Sequence, residues 1–356
     1  MGYNAHAMNS PKRLYNIFSK EDLESKIKAE PFARLTFSFY RYFRLTDPFK
    51  ERQLLYEDFN ALGVLGRIYI ASEGINAQVS IPAQLLNDFK SYLDRREHYK
   101  SMPLKIALEE PEHSFLKLKI KVRSKILADG LNDENFDVRD VGEHLDAMEF
   151  HKLVGSPDVA LIDMRNHYET EVGHFEGAYL PKSETFRDAL PIVEEHLKGK
   201  EDQKILLYCT GGIRCEKASA YLKHKGFKDV NQLHGGIIQY AHEVKESGEE
   251  SKYKGVNFVF DGRLGEGVTS DVLSKCSSCG IPRDRHLNCA NDLCHKLFIQ
   301  CQSCSDSKKS VCSPRCYEVI QLEPEEFEKL KRSGTFEAGF SKTYREGEIK
   351  PWEPPK

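Results

Sequence analysis

The segment at residues 209–215, Cys-Thr-Gly-Gly-Ile-Arg-Cys, combines the residue types of a nucleophilic site. It follows the apolar run at 205–208, which predicts a buried strand of an α/β sheet. A cysteine at the carboxyl end of such a strand, in a glycine-containing turn that leads into a helix, faces backbone N–H groups and the positive end of the helix dipole. Both features stabilise a thiolate, the nucleophilic form. We therefore predict that Cys209 is reactive and that Arg214 supplies a fixed positive charge beside it.

Cys215 follows Cys209 by six residues and has two interpretations. It can resolve an oxidised Cys209 by forming a disulfide, or it can pack as an unreactive thiol in the first turn of the following helix. For Cys209 itself, the alternative is a buried cysteine beside a tight turn.

Eight of the ten cysteines fall within residues 276–316. Eight thiolates satisfy two tetrahedral zinc ions, so we predict two structural zinc sites in which the first and third pairs of cysteines share one ion and the second and fourth share the other. The pairs are Cys276 with Cys279, Cys289 with Cys294, Cys301 with Cys304, and Cys312 with Cys316. Spacing alone leaves the pairing open, and it also leaves open His286 or His295 as a ligand and a set of thiols without metal.

Basic and apolar residues alternate along residues 117–125, and no acid occurs among them. On a strand this period places all the charges on one face, where their mutual repulsion favours an anionic partner such as a phosphate backbone. A solvated or guarded edge strand is the alternative. The predicted RNA contacts are Lys117, Lys119, Lys121, Arg123 and Lys125, with Arg41 and Arg44 from the aromatic and basic run at 40–44.

Predicted strands and helices alternate along the first third of the chain, which includes this basic strand. Residues 34–43, 67–70 and 77–80 have the composition of strands, and residues 48–62 and 83–93 have helical spacing. Two strand-helix-strand units in series predict a ferredoxin-like α+β domain over residues 1–130.

Composition places the chain in the ordinary globular class, with 356 residues, a net charge of -3 and 40% hydrophobic residues. No apolar run reaches the length of a membrane span, and the first residues resemble neither an export signal nor a myristoylation site, so we expect a cytoplasmic protein. In the cytoplasm, cysteines more often serve metal or redox chemistry than disulfides. We find no flavin, haem or nicotinamide motif.

The loop at Cys209 resembles the active loop of rhodaneses, in which the cysteine carries a persulfide sulfur. Four residues separate Cys209 from Arg214, whereas cysteine phosphatases place five there to cradle a phosphate. The stretch from Asp163 through Arg165 to residue 178 and the Gly-Gly pair at 235–236 match the same family. This resemblance implies a rhodanese α/β domain with a parallel sheet over residues 140–250. Its candidate catalytic residues are Cys209, Arg214, Cys215, Asp163 and Arg165.

The whole chain resembles bacterial rhodanese-domain tRNA uridine hydroxylases, which act at the wobble position. The matching stretches are 66–77, 119–123, 209–219, 288–294 and 298–301. The resemblance implies oxygen-dependent hydroxylation of uridine to 5-hydroxyuridine, with oxygen as co-substrate and tRNA as substrate. A Cys-rich module over 265–325 and a tail over 326–356 complete the predicted organisation.

Two other functions fit the same residues. One is a persulfide sulfurtransferase that uses Cys209 to thiolate a nucleoside or to feed a carrier, with a sulfur donor or reductant as partner. The other is a non-catalytic RNA-binding adaptor. The pattern does not indicate an oligomeric state.

Overall fold

The computed structural model describes residues 18–109, 114–131, 137–336 and 352–354. The chain divides into two units after Ile126. Within the described ranges, no helix has both the length and the apolar character needed to cross a membrane.

The first unit is an α+β domain built on a five-stranded sheet in the order β4-β1-β3-β2-β5. Its elements are α1 (Lys20–Lys28), β1 (Arg34–Tyr42), α2 (Pro48–Ala61), β2 (Leu65–Ala71), β3 (Gly74–Pro82), α3 (Leu86–Asp94), β4 (Lys105–Ile106) and β5 (Leu118–Val122).

The strand order of this sheet confirms the ferredoxin-like prediction. The fourth strand of that fold is the two-residue β4, antiparallel to β1. The basic strand β5 is an addition at the other edge, where it runs parallel to β2. Phe37, Phe59 and Phe89 lie in the core formed by the sheet, α2 and α3.

The second unit carries the reactive cysteine and the cysteine-rich segment. Its elements are β6 (Glu143–Leu145), α4 (Ala147–Leu153), β7 (Val159–Asp163), α5 (His167–Thr170), β8 (Gly173–Phe175), α6 (Phe186–Leu197), β9 (Lys204–Tyr208), α7 (Ile213–His224), β10 (Asp229–Leu233), α8 (Gly236–Ser247), β11 (Tyr253–Asn257), β12 (Glu266–Gly267), β13 (His286–Asn288), β14 (Leu297–Ile299), α9 (Gln302–Ser307), α10 (Pro314–Val319) and α11 (Pro324–Ser333).

A parallel sheet in the order β6-β10-β9-β7 forms the centre of this unit. Strand β9 is buried on both faces: Ile205 and Leu207 pack into one hydrophobic cluster, whereas Leu206 and Tyr208 pack into another. Helices cover both faces, which explains why β9 is a continuous apolar run without alternation. The predicted rhodanese-type parallel sheet is confirmed.

Strand β11 connects the parallel-sheet part of the second unit to its cysteine-rich part. It pairs with β8 on one side and β12 on the other, and β13 pairs with β14 in a separate hairpin. Tyr168 and Val172 pack with Phe258, Leu297 and Ile299 in one buried cluster. The two parts of the unit therefore share a hydrophobic core.

Candidate active site and metal centres

Cys209 lies at the carboxyl end of β9, directly before the helix α7. Gly212 is the N-cap of α7 with φ of 100°, a conformation that glycine adopts without steric cost. Its N–H donates to the Cys209 sulfur over 3.1 Å. The loop thus directs a backbone donor and the positive end of a twelve-residue helix toward the sulfur.

The sulfur of Cys209 is an anion at neutral pH. Burial raises its pKa, but the hydrogen bond from Cys215, the charge of Arg214 and the N–H groups of Arg214 and Gly212 outweigh that effect and lower the pKa to about 5. Because the side chain is only 1% exposed, this thiolate is stabilised by the protein without contact with bulk water.

Cys215 occupies the first turn of α7 and contributes to the same site. Its side chain is fully buried and hydrogen-bonds to Cys209. Burial, followed by the negative Cys209 sulfur, raises the pKa of Cys215 well above its usual value. Cys215 is therefore the neutral donor of a thiol–thiolate pair. It is packed in the first turn of the helix, as one interpretation expected, and it also contacts Cys209, as a resolving cysteine must.

Arg214 is held by a carboxylate that was not among the predicted site residues. Its two terminal nitrogens donate to the Glu169 oxygens over 2.5 and 2.8 Å, and one also donates to the Thr210 hydroxyl over 3.3 Å. Glu169 has no exposed surface. The guanidinium is thus oriented rigidly beside the thiolate, and its charge is compensated by a second buried ion.

The N-terminus of α8 supports the loop from the other side. The N–H groups of Ile237 and Ile238 donate to the carbonyls of Cys209 and Thr210 over 3.0 and 3.3 Å. Gly236, with φ of 68°, approaches so closely that a Cβ would lie 2.6 Å from both of these carbonyl oxygens. The loop backbone therefore depends on a glycine at this position.

Asp163 and Arg165 form a fully buried ion pair at the end of β7. Arg165 also donates to the Gly173 carbonyl over 2.6 Å and to the Tyr253 hydroxyl over 3.2 Å. These contacts join β7 to β8 and β11. The pair therefore contributes to the framework of the domain, and its predicted catalytic role stays a prediction.

The eight clustered cysteines form two separate groups. In each group the four sulfur atoms all lie within 4.8 Å of one another. The first group is Cys276, Cys279, Cys301 and Cys304, and the second is Cys289, Cys294, Cys312 and Cys316. This is the interleaved grouping among the alternatives that spacing left open. Both groups are all-cysteine, and the His286 ring instead contacts a Glu171 oxygen over 2.9 Å.

The distances between sulfurs fit a tetrahedral metal site. Zinc–sulfur bonds of about 2.3 Å in a tetrahedron place neighbouring sulfurs roughly 3.8 Å apart, whereas a disulfide would place them about 2.05 Å apart. Cys279 and Cys301 are 3.7 Å apart, Cys294 and Cys312 are 3.6 Å apart, and Cys312 and Cys316 are 3.8 Å apart. Each group can hold a metal ion with no ligand position left for substrate.

Strand β5 has the predicted division between its two faces. Leu118 and Ile120 are buried in the core, whereas Lys119 is exposed and Lys121 half-buried. Lys119 lies opposite Arg67 of β2, and Lys121 lies opposite Tyr69. The charge of Lys121, and to a lesser degree burial and Arg67, lowers the pKa of Lys119, which shows that the positive charges on this face repel.

The remaining predicted RNA contacts occupy varied positions. Arg41 donates to the carbonyls of His98, Lys100 and Ser101 over 2.8 to 3.2 Å, so it anchors a loop, and its RNA contact stays a prediction. Outside β5, Lys117, Arg123 and Arg44 are exposed, and Lys125 is half-buried.

Three family models match successive stretches of the chain. They describe a UPF0176 acylphosphatase-like domain over residues 34–126, a rhodanese-like domain over 146–243 and a rhodanese C-terminal domain over 254–317. A solved rhodanese-like domain from Anabaena sp. is 23% identical and covers 32% of this chain and 78% of its own, with a TM-score of 0.26.

Relatives similar over most of the chain carry one name. The tRNA uridine(34) hydroxylase of Leptospira interrogans is 56% identical over 90% of this chain and 87% of its own length. Those of Erwinia tasmaniensis and Yersinia enterocolitica are each 47% identical over 90% of this chain and 92% of their own. The chain belongs to the tRNA uridine(34) hydroxylase family.

In this member of the hydroxylase family, three residues outside the predicted catalytic set lie at the Cys209 site. Glu169 lies within the stretch that matches rhodaneses, and Gly236 belongs to the Gly-Gly pair at 235–236 that matches the same family. Comparison with rhodanese sequences could therefore have identified both residues. Phe260, whose ring centre lies 6.0 Å from the Arg214 guanidinium carbon, follows β11 two residues after Phe258 and belongs to no motif that the sequence analysis used.

Proposed function

We propose that this protein is an oxidoreductase that converts the wobble uridine of tRNA to 5-hydroxyuridine, with oxygen as co-substrate and Cys209 as the reactive residue. The observation that carries the proposal is the stabilised Cys209 thiolate, present in a chain that is 56% identical to a tRNA uridine(34) hydroxylase. The name of the relatives indicates the substrate, and the Cys209 thiolate is the group able to act as a nucleophile.

The chemistry of uracil explains why a nucleophile is needed. Its C5 becomes able to attack an electrophilic oxygen when a nucleophile adds to C6, because that addition turns C5 into an enolate carbon. Loss of the C5 proton and departure of the nucleophile then restore the ring. One atom of oxygen enters the base and the other leaves as water, so the reaction also takes two electrons from a reductant.

The burial of Cys209 favours a carrier role for its sulfur. With 1% of the side chain exposed, the thiolate itself is out of reach of a nucleobase in this conformation. A persulfide would place a second sulfur about 2 Å farther along the side chain. We infer that Cys209 carries the reacting group as a persulfide or a sulfenate. A sulfane-sulfur donor would transfer its outer sulfur to the thiolate to form the persulfide; the oxygen co-substrate would transfer one oxygen atom to form the sulfenate, while the reductant reduces the other atom to water.

The basic side of β5 is the part of the first unit that we assign to tRNA. Lys119 and Lys121 share that side with Arg67 and Tyr69, so positive charge and an aromatic ring lie on adjacent strands. This combination suits a phosphate backbone and single-stranded bases. Lys117, Arg123, Lys125 and Arg44 extend the proposed surface.

The cysteine groups are proposed to hold two structural zinc ions, within a module at 265–325. Zinc bound there would supply folding energy to a segment whose own hydrophobic core is small. We place this module after a ferredoxin-like domain at 1–130 and a rhodanese domain at 140–250, with a tail from 326, and we propose a cytoplasmic location beside the tRNA pool.

Mass spectrometry of tRNA nucleosides tests the proposed function. Cells lacking the gene should lose 5-hydroxyuridine and its derivatives, and wild-type protein should restore them while Cys209→Ser does not. An unfolding temperature of purified Cys209→Ser equal to that of wild type controls for general damage to the site. Persistence of 5-hydroxyuridine together with loss of a thiolated nucleoside would instead identify a sulfurtransferase, and full restoration by Cys209→Ser would support the adaptor.

A further inference from the structure

An exposed aromatic ring lies beside the active-site arginine. Phe260 is the most exposed phenylalanine among the described residues of the second unit, with 38% of its surface accessible. Its ring centre lies 6.0 Å from the Arg214 guanidinium carbon, and Arg214 in turn contacts the loop that bears the Cys209 thiolate. An apolar ring is therefore presented to solvent next to the arginine of the Cys209 site.

Ion pairs of the residues that follow Phe260 hold its segment rigidly in place. Arg263 donates to the Asp261 carboxylate over 2.5 and 2.8 Å and also pairs with Glu266 of β12. The side chains of all three are at most 8% exposed. A chain segment anchored by three buried ions keeps its preceding residue in place, so the exposure of Phe260 is a fixed feature of the fold.

Neighbouring rings fix the orientation of Phe260 as well. Phe258 meets it nearly edge-on, at 5.2 Å between ring centres and an angle of 83°. Tyr168, from the helix α5 that also supplies Glu169, lies 6.5 Å away at 86°. Both neighbours are buried, so they brace one part of Phe260 while the rest stays accessible.

We propose that Phe260 is the stacking platform for the uracil ring of the target nucleotide, which positions the base against the Cys209 loop. This inference rests on the proposed function and adds the residue that recognises the base. An enzyme that modifies a base in a tRNA loop must hold a flat, unstacked ring, and an accessible aromatic side chain is the usual group for that task. The Arg214 guanidinium lies beside the same ring.

The expected size of the effect follows from stacking energies. Stacking of one base on one aromatic side chain changes affinity by roughly 5- to 150-fold. Phe260→Leu keeps an apolar side chain but removes the flat surface, whereas Phe260→Tyr keeps the ring. The Leu variant should therefore raise KM for tRNA at least about fivefold, with a smaller change in kcat, and the Tyr variant should remain near wild type.

A binding experiment isolates the base from the rest of the RNA. The probes are an anticodon stem-loop with uridine at the wobble position and the same RNA with an abasic ribose there, titrated against full-length protein by fluorescence anisotropy. Wild type should prefer the uridine RNA about fivefold or more. Phe260→Leu should abolish that preference without changing affinity for the abasic RNA, and Phe260→Tyr should retain it.

Phe49→Leu provides the matched control, since it makes the same substitution at a phenylalanine that is 74% exposed in the first unit. It should leave the preference for uridine intact. An equal preference in wild type and Phe260→Leu would overturn the inference, as would no preference in wild type. Failure of wild type to form 5-hydroxyuridine on tRNA would contradict the proposed function separately, because the binding comparison requires no turnover.

Discussion

Gly236 lies in direct contact with the backbone of Cys209, so close that a Cβ on Gly236 would lie 2.6 Å from the Cys209 carbonyl oxygen. The next amide, that of Ile237, donates to this same oxygen over 3.0 Å. The shape of the reactive loop is therefore determined by a helix that follows it by more than twenty residues in the chain.

Gly236→Ala should displace the Cys209 loop and reduce 5-hydroxyuridine formation at least about tenfold, because the obstructing atoms belong to the backbone and cannot rotate away. Gly248→Ala is the matched control: Gly248 has φ of 77°, close to the 68° of Gly236, but no atom lies within 4 Å of its Cβ position. Both variants bear a similar conformational strain of about 1–2 kcal/mol. Equal activities of the two would contradict the contact with the loop.

The acid limb of activity should report the Cys209 thiolate. Because its pKa is lowered to about 5, wild-type activity should be flat near neutral pH and should fall tenfold per pH unit well below 5. Cys215→Ala removes a hydrogen bond to the thiolate, so the pKa should rise by about 1–2 units and the limb should move toward neutral pH. Cys215→Ser retains a donor and should shift less. An unmoved limb in the Ala variant would show that Cys215 does not stabilise the thiolate.

Elemental analysis should find two zinc ions per chain. Cys294→Ser removes a sulfur from the second group only, so it should retain one ion at most. Cys215→Ser changes a buried cysteine outside both groups and should retain two. Addition of a chelator should lower the unfolding temperature of wild type. Full metal content in Cys294→Ser would contradict the assigned ligands.

The salt dependence of tRNA binding should locate the RNA surface. Replacement of Lys119, Lys121 and Arg123 by Ala should weaken binding and reduce the slope of log K against log salt by about 2, since each lost phosphate contact removes roughly 0.7–0.9. The control replaces Lys20, Lys28 and Lys50, which are exposed elsewhere in the first unit and carry the same total charge. If both triple variants changed the slope of log K against log salt equally, β5 would not be part of the tRNA-binding surface.

The reactive loop was predictable because its determinants are local. The apolar run before Cys209, the glycines after it and the helix beginning at Ile213 follow one another in the chain. The run predicts a buried strand, and the glycines predict a turn before the helix. Glu169 lies far from Arg214 in the chain, so its bidentate pairing depends on how β7 and α5 pack beside β9. No local rule supplies that contact.

The first unit shows where periodicity is insufficient. The fold class was predictable from alternating elements, but β4 is only two residues long and leaves no periodic signal. Charge alternation identified the exposed face of β5, yet it could not reveal that β5 is an added edge strand parallel to β2. The three carbonyl partners of Arg41 lie more than fifty residues away in the chain, so no local pattern could predict that Arg41 anchors a loop.

The alternation of the two sulfur groups along the chain has a consequence for protein synthesis. When Cys294 has left the ribosome, each group has only two of its four sulfurs. The first group is complete only after Cys304 emerges, and the second only after Cys316. The first site can therefore bind its metal only after two sulfurs of the second site have emerged, and a nascent chain that ends between Cys294 and Cys304 exposes incomplete sets of thiolates from both groups to the folding machinery of the cell.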